Sequence, residues 1–392
     1  MARWVLLGNL DNRRVAFFEA ALEAVGEPVA ERLALGDALT APDRLAHLLV
    51  TLPRPVVVRL ESPGEDFAVT RRLLAMGAVE AEAEGGRHLA AEVVESLEHD
   101  LGRILYPRQW FLGYRAALRA WSVTLAEAGP GVFVMNAPED IEVMFDKTAT
   151  CEALASRGIP VPPWLGPVTC YEGLCAAMDT HGVERAFVKL LHGSSASGVI
   201  AFSRLRNLQA ITSMSRAVVG GEVRFYNSLR LSMLRDEREI AEAVDFVLCD
   251  GGRAEAWVPK GRVRGRPFDV RVVVIGGEAR HAVVRIGRTP LTNLHLGNER
   301  GEVEEVEAQL GAEAWRSMLG TCEAVAGAFP RSLYAGVDLA TGEDEASRWI
   351  IEANAFGDLL PNVVSRGVDT YRAEVEAMLR RVQAAELGEV MG

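Results

Sequence analysis

The chain has 392 residues and a formal net charge of −12, with 49% hydrophobic and 24% charged residues. This length predicts two or three domains, and the balance of apolar and charged residues is typical of globular proteins, which excludes a disordered, collagen-like or membrane-spanning chain. The acidic net charge gives no indication of nucleic-acid or anionic-membrane binding, since both require a basic surface.

The first 140 residues alternate between strand-like and helix-like patterns. Short apolar runs predict buried strands at 4–7, 56–60 and 132–135. Helical spacing of apolar residues lies between these runs, at 67–76, 89–101 and 114–128. Because strands that alternate with helices form parallel sheets, we expect residues 1–140 to form an α/β domain.

Beyond residue 140 the pattern becomes α+β. A helix is expected over 146–157, where Gly158 ends it, and a final amphipathic helix is expected over 370–385. Short strand-like runs recur between the two helices, at 186–191, 199–202, 269–275, 278–285, 333–339 and 349–354. The Gly276-Gly277 pair is typical of a two-residue hairpin turn. We divide this part of the chain into residues 141–260 and 261–392.

A lysine and a loop of small residues lie between the strands at 186–191 and 199–202. Lys189 precedes Gly193-Ser-Ser-Ala-Ser-Gly198, and such a loop places an ammonium and several free N–H groups around phosphates. Taken alone, a lysine beside a hairpin loop is more often solvated. The loop is not the P-loop of nucleoside triphosphatases, because Val199-Ile200 stands where that motif needs Lys-Ser/Thr.

Two arginines and an aspartate are predicted to share one face of the hairpin around Gly276-Gly277. Asp269 and Arg271 are two residues apart in a strand, so they point to the same face, and Arg285 ends the partner strand. Converging arginines are costly unless an anion lies between them. A separate surface position for each arginine is an equally good alternative.

Three oxygen-bearing side chains are predicted on the last strand pair. Asp338 lies on one strand, and Glu352 and Asn354 are two residues apart on the other, so the three share a face. Carboxylate and amide oxygens suit Mg²⁺, which keeps several waters and takes its remaining ligands from phosphates. Apolar neighbours argue against the alternative of acidic residues at solvated strand ends.

Taken in order, these motifs resemble the ATP-grasp superfamily, and within it the branch of the ribosomal-protein S6 glutamate ligase. The matching stretches are Asp146-Lys147 with Gly158-Ile-Pro160, Val188-Lys189-Leu with residues 193–199, Phe268-Asp-Val-Arg271-Val-Val-Val, Val284-Arg285, Thr292-Asn-Leu-His295-Leu-Gly297, Gly336-Val-Asp338 and Glu352-Ala-Asn354. The resemblance covers roughly residues 138–385. It implies that an ATP-grasp fold, in which two lobes with antiparallel sheets grip ATP, follows the N-terminal α/β domain.

The resemblance also implies a role for each matching position. The residues implied to bind ATP are Lys147, Lys189, Gly193, Ser194, Ser195, Gly198, Glu255, Ala256, Val258 and Asp269, the last of them at the ribose. The residues implied to bind two Mg²⁺ ions, with Mn²⁺ as an alternative, are Asp338, Glu352 and Asn354. The catalytic residues implied to hold the substrate carboxylate and then its acyl phosphate are Arg271 and Arg285. The further substrate-binding residues, near the acceptor, are Asn293 and His295.

The activity implied by the resemblance is that of an ATP-dependent carboxylate–amine ligase. Such an enzyme forms an amide or peptide bond through an acyl phosphate and releases ADP and phosphate, with an amino acid, a peptide or a protein as acceptor. Two alternatives stay open: an ATP-grasp kinase that phosphorylates a hydroxyl, and a nucleotide-binding partner module without catalysis. The pattern does not identify the substrates, and it leaves homo-oligomer formation open.

Cysteine usage and the N-terminus bear on the location of the protein. The five cysteines include no CxxC pair, which predicts reduced thiols and neither disulfides nor a zinc site. The N-terminal apolar run is too short for a signal peptide, and no apolar run is long enough to span a bilayer. We expect a cytoplasmic protein that binds neither nucleic acid nor membrane.

Overall fold

The computed structural model describes residues 1–193 and 196–388. These residues form three β-sheets, with helices in the connections between the strands. Two residues of the predicted phosphate loop, Ser194 and Ser195, lie outside the described residues. In the described ranges, no helix combines the length and the apolar character needed to cross a bilayer.

The first sheet is parallel, with strand order β2-β1-β3-β4. Its strands are β1 (Arg3–Gly8), β2 (Glu31–Ala34), β3 (Val56–Leu60) and β4 (Val132–Val134). The helices of this part are α1 (Arg13–Ala24), α2 (Leu35–Thr40), α3 (Asp43–Thr51), α4 (Phe67–Met76), α5 (Ala78–Ala83), α6 (Ala91–Glu95) and α7 (Pro107–Glu127). The predicted parallel α/β arrangement is confirmed, and the apolar sequence of β3 reflects a strand buried on both faces.

The second sheet is antiparallel, with strand order β8-β7-β6-β5-β9. Its strands are β5 (Arg185–Leu190), β6 (Val199–Ser203), β7 (Gln209–Val219), β8 (Glu222–Leu234) and β9 (Gly252–Ala256). The helices before and within it are α8 (Pro138–Phe145), α9 (Lys147–Ala155), α10 (Tyr171–Thr180) and α11 (Glu237–Leu248). The long β7–β8 hairpin and α11 were not predicted from the sequence.

The third sheet is also antiparallel, with strand order β13-β12-β11-β14-β15 and β10 paired to β11. Its strands are β10 (Arg262–Val263), β11 (Arg266–Ile275), β12 (Glu278–Ile286), β13 (Glu299–Gly301), β14 (Tyr334–Thr341) and β15 (Arg348–Asn354). The helices of this part are α12 (Val303–Leu310), α13 (Ala312–Ala328) and α14 (Thr370–Glu386), with a 3₁₀ turn at Leu294–Leu296.

The predicted hairpin between β11 and β12 is confirmed. Gly276 and Gly277 connect the strands with φ values of 60° and 84°, and residues with side chains rarely adopt two consecutive positive φ angles. A β-bulge between Val273 and Val274 then shifts the register by one residue, so that Asp269 pairs with Arg285 and Val270 with Val284. The turn and the bulge together therefore fix which side chains share a face of the third sheet.

The first and third sheets share a hydrophobic core, whereas the second sheet has its own. Val58 and Val270 belong to one continuous apolar cluster, while Val188 and Val244 belong to a separate cluster under the second sheet. The helix predicted over 89–101 is reduced to α6. The chain beyond it extends along β8 instead, where Ile104 N donates to Phe225 O (2.9 Å). The predicted division at residues 140 and 260 stays a prediction.

Candidate active site

A cleft lies between the second and third sheets. Its volume is about 720 Å³, including the part open to solvent. The residues predicted for ATP, metal and substrate that line it are Lys147, Lys189, Gly193, Glu255, Ala256, Val258, Asp269, Arg285, Asn293, Asp338 and Glu352. The tertiary structure thus brings together side chains that are far apart in the chain.

Lys147 enters the cleft from the N-terminus of α9. The carboxylate of Asp146 caps this helix by accepting from the backbone N–H groups of Thr148 (2.8 Å) and Ala149 (2.9 Å). The Lys147 Nζ donates to Gly193 O at 2.6 Å and lies 2.9 Å from Glu352 Oε1. One ammonium therefore links the phosphate loop to the third sheet.

Lys189 reaches the same cleft from β5. Its Nζ donates to Oε1 of Glu255 on the neighbouring strand β9, and both side chains are buried. Arg253, two residues before Glu255, is also buried, with its Nε 3.7 Å from Glu255 Oε2. Since a buried carboxylate needs cationic partners, Glu255 is anchored to its own sheet. Its predicted role in binding ATP stays a prediction.

Asp269 accepts hydrogen bonds from three side chains. Its Oδ1 accepts from Arg285 Nε (2.7 Å), and its Oδ2 accepts from Lys260 Nζ (2.7 Å) and from the Thr292 hydroxyl. Burial alone would raise the pKa of Asp269, but Arg285 and Lys260 outweigh burial and lower it. The carboxylate is therefore ionised and holds both cations in place. Its predicted contact with ribose stays a prediction, because both oxygens already have partners.

Asp338, Glu352 and Asn354 share one face of the third sheet, because the β14–β15 register pairs Asp338 with Glu352 and Gly336 with Asn354. Asp338 binds Arg271, whose Nη2 lies 3.0 Å from Oδ2, and Arg285, whose Nη2 lies 3.1 Å away. Asn354 Nδ2 donates to Gly336 O at 3.2 Å.

The chemistry of these three side chains fits Mg²⁺. Burial would raise the pKa values of Asp338 and Glu352, but Arg271 and Arg285 lower that of Asp338, and Lys147 lowers that of Glu352. Two ionised carboxylates and an amide oxygen are hard donors of the kind that Mg²⁺ prefers. In the part of the chain that the structure describes, no group of three or more His, Cys, Asp or Glu side chains is arranged to hold a metal ion, so an amide or phosphate ligand is needed.

Four of the predicted residues that the structure describes lie at the edge of the cleft or outside it, and one of them is Asn354. Arg271 binds Asp338 and donates from Nη1 to Gly357 O (3.3 Å), but it does not line the cleft. His295 lies exposed in the 3₁₀ turn and does not line the cleft either. Gly198 lies at the end of the loop, next to the side chain of Leu190. Its φ is +60°, a backbone conformation that favours glycine.

Lys260 is a cleft residue that the sequence reasoning did not select. Its Nζ binds Asp269 and donates to Thr292 Oγ1 (2.8 Å), and burial lowers its pKa. A compositional signal marks it: Lys147, Lys189 and Lys260 are the only lysines in the sequence, although lysine and arginine together number 42. All three line this cleft. Lysine, which offers a compact point charge, is thus confined to the candidate active site.

Apolar side chains form the remaining wall of the cleft. Phe187, Val199 and Leu291 are buried there and belong to one apolar cluster, which joins the second sheet to the segment before the 3₁₀ turn. Ala256 and Val258 line the same region. A flat apolar surface beside backbone N–H and C=O groups is suited to an aromatic base.

Comparisons with known proteins establish the fold. No family model and no curated protein matches the sequence. Among solved structures, the ATP-grasp ligase PsnB with a phosphomimetic precursor variant, Mg and ADP is 17% identical, covering 97% of this chain and 98% of its own, with a TM-score of 0.52. D-cycloserine synthetase DcsG is 12% identical, covering 97% and 100%, with a TM-score of 0.54. D-alanine–D-alanine ligase from Bacillus anthracis is 12% identical, covering 98% and 99%, with a TM-score of 0.52.

Proposed function

Because the chain has an ATP-grasp fold, we propose that it is an ATP-dependent carboxylate–amine ligase. The observation that carries this proposal is the single cleft in which Lys147 and Lys189 meet Asp338, Glu352 and Arg285. Phosphoryl transfer depends on positioning and on neutralising charge, and these are the groups that supply both. The similar solved structures, which include PsnB and D-alanine–D-alanine ligase, support the assignment.

The two lysines are proposed to bind the phosphates of ATP. Each ammonium now pairs with a carboxylate, Lys147 with Glu352 and Lys189 with Glu255. Phosphate oxygens should replace the carboxylate partner more easily at Lys147 than at Lys189. The reason is that the pair between Lys147 and Glu352 is partly exposed, whereas the pair between Lys189 and Glu255 is buried. Mg²⁺ would be held by Asp338, Glu352 and Asn354, and it would supply further neutralisation of phosphate charge. PsnB was solved with Mg and ADP, which supports the choice of ligands.

The proposed reaction has two steps. First, a substrate carboxylate oxygen attacks the γ-phosphorus of ATP. The bond between the γ-phosphorus and the oxygen that bridges it to the β-phosphorus breaks, and ADP leaves. The acyl phosphate is then attacked at its carbonyl carbon by an amine. The C–O bond to phosphate breaks, phosphate leaves with the electron pair, and the amine nitrogen loses a proton. Neither step needs a nucleophilic Ser or Cys of the protein.

Arg271 and Arg285 are proposed to hold the carboxylate and then the acyl phosphate. Burial would lower the pKa of Arg285, but Asp269 and Asp338 outweigh burial and raise it, so its charge is permanent. A guanidinium held by two carboxylates is already oriented, and a preorganised donor stabilises charge that develops during the reaction. Asn293, which lines the cleft, is the proposed contact on the acceptor side.

The proposed substrates are amino acids or peptides. PsnB was solved with a variant of its minimal precursor, and D-alanine–D-alanine ligase is named for two amino acids, which supports substrates of this class. The test is incubation with Mg-ATP and a panel that pairs Glu, Asp and short peptides with varied amines, followed by measurement of ADP and mass spectrometry of products. The expected product is an amide. A stable phosphorylated product, or no ADP release with any pair, would contradict the proposal.

A further inference from the structure

The turn that follows Asn354 lies directly against the strand that carries Asp338. A Cβ atom on Gly336 would lie 2.4 Å from Gly357 Cα, and a Cβ atom on Gly357 would lie 2.5 Å from Gly336 Cα, so only glycines allow this approach. Gly357 O accepts from Arg271 Nη1 (3.3 Å), and Gly357 N donates to Asn354 O (3.3 Å). Residues 355–358 therefore touch two predicted site residues.

The N-terminal part of the chain holds this turn through two arginines. Arg14, in the first turn of α1, has its Nη1 2.6 Å from Asp358 Oδ1, and its Nη2 donates to Phe356 O at 2.7 Å. Arg59 on β3 has its Nη2 2.6 Å from Asp358 Oδ2. The Asp358 side chain is completely buried, so its ionised form depends on these guanidiniums.

The two arginines differ in what else they hold. Arg59 is itself completely buried and also pairs with Glu61 and Glu374, so it belongs to the structural core of this junction. The Arg14 side chain is 14% exposed, and its guanidinium has only Asp358 and Phe356 O as hydrogen-bond partners among the described residues. Replacement of Arg14 therefore perturbs the turn with the least damage elsewhere.

We propose that Arg14 is a positioning residue for the reaction in the cleft, acting through residues 355–358 on Arg271 and Asn354. This inference rests on the proposed function, because it concerns the same site. Arg14 does not line the cleft. Its contribution is to keep the Gly357 carbonyl where Arg271 donates to it, so that the guanidinium stays in register with Asp338.

Hydrogen–deuterium exchange tests the positioning without requiring turnover. The variants are Arg14→Gln and, as a control, Arg32→Gln, which removes an exposed pair with Glu19 in the same part of the chain. We expect faster exchange at 350–360 in Arg14→Gln, unchanged exchange at 199–212, and no change in the control. Should Arg14→Gln not fold, Arg14→Lys serves, because it keeps the charge beside Asp358 and loses one of the two contacts. Unchanged exchange at 350–360 would overturn the proposal.

Kinetics test its consequence. With a substrate pair that the wild type joins, we expect Arg14→Gln to lower kcat by about 100-fold, since a displacement of about 1 Å has an effect of this size. The KM for ATP stays near that of the wild type, because the nucleotide is held by other residues. An unchanged kcat would overturn the proposal. A wild type that releases no ADP would contradict the proposed function, while the exchange result would still decide whether Arg14 holds the turn.

Discussion

Lys147 and Glu352 meet across the cleft, with the ammonium nitrogen 2.9 Å from the carboxylate oxygen. One side chain begins helix α9, and the other lies near the end of β15. The family resemblance implied an ATP-binding role for the first and a metal-binding role for the second, and the structure places the two side chains in contact. This ion pair lies where we propose that the magnesium–nucleotide complex binds.

We predict that Glu352→Ala strongly lowers ATP turnover and leaves the fold intact. The change removes a proposed metal ligand and frees Lys147, and the loss of one such group lowers kcat by about 100- to 1,000-fold. The measurement is ADP release, with circular dichroism as the check on folding. Glu343→Ala is the matched control, since Glu343 is exposed in the connection between the same two strands. Wild-type ADP release by Glu352→Ala would contradict its assignment.

A second prediction concerns Lys189. Lys189→Ala removes the ammonium beside Glu255 and leaves that buried carboxylate near Arg253 alone. We expect ATP turnover to fall by about 100-fold or more, because a positioned positive charge on the phosphates is lost. Calorimetric titration with Mg-ADP measures the binding part of this loss. The control is Arg204→Ala, which removes an ion pair with Asp179 beyond the end of β6. If Lys189→Ala binds Mg-ADP as tightly as the wild type does, Lys189 does not belong to the nucleotide site.

Substitution of Arg285 should affect amide formation more than ADP release. Arg285→Ala leaves Asp269 and Asp338 each without one partner, which costs about 3–5 kcal/mol of stability for a buried ion pair. Arg285→Lys keeps one charge and loses the forked geometry, so we expect a folded protein with less amide formed per ADP released. Product yield per ADP, measured by mass spectrometry, checks this. A ratio equal to that of the wild type would exclude a role in acyl transfer.

The confinement of lysine to the cleft allows a test without mutation. Reductive methylation of the wild type modifies accessible lysines and the N-terminal amine, and peptide mass spectrometry locates the methyl groups. We expect Mg-ADP to protect Lys147, because it lines the cleft and its pair with Glu352 is partly exposed, whereas Lys189 and Lys260 should be modified little in either condition, because both are held in ion pairs with little exposure. The N-terminal amine, which is exposed, serves as the internal control and should react equally with and without nucleotide. Protection of the N-terminal amine by Mg-ADP, or equal modification of Lys147 with and without Mg-ADP, would contradict the prediction.

His192 is predicted to make stability fall in acid. Its ring stacks on Phe111 at 3.9 Å between centroids, and burial lowers the pKa of His192 to about 4 from its ordinary value of 6.5. The unfolded chain therefore binds a proton between pH 6.5 and 4 that the folded chain excludes, which removes about 3 kcal/mol of stability over that interval.

Urea unfolding at several pH values checks this prediction. The difference in unfolding free energy between the wild type and His192→Gln isolates the contribution of the imidazole from that of the carboxylates. We expect this difference to shrink as the pH falls from 6.5 to 4. A difference that stays constant over the interval would show that the folded chain binds the proton too.

Much of the fold could be predicted from local pattern. Buried strands in residues 1–140 are mainly apolar runs. The Gly276-Gly277 pair predicts a hairpin, because only glycine adopts two consecutive positive φ angles easily. Alternation along β15 places Glu352 and Asn354 on one face. Each of these features depends on residues that are close in the chain.

The remainder was decided by residues that are distant in the chain. The turn between β11 and β12 could be predicted, but Asp269 pairs with Arg285 only because an unpredicted bulge between Val273 and Val274 shifts the register. The bond of Asp269 to Lys260 and the contact of Arg14 with Asp358 involve segments that no periodicity connects. The long β7–β8 hairpin escaped prediction for a related reason: its exposed face lacks the strict alternation that marks a half-buried strand.

The amino-acid sequence by itself determined the order of the elements, the residue types available for phosphate, metal and carboxylate, and the face of each strand on which they lie. Only the tertiary structure decided which cation neutralises which carboxylate and which segment holds the turn after Asn354. The physical reason is that a buried charge is tolerated only beside a partner of opposite sign, and packing alone brings that partner from elsewhere in the chain.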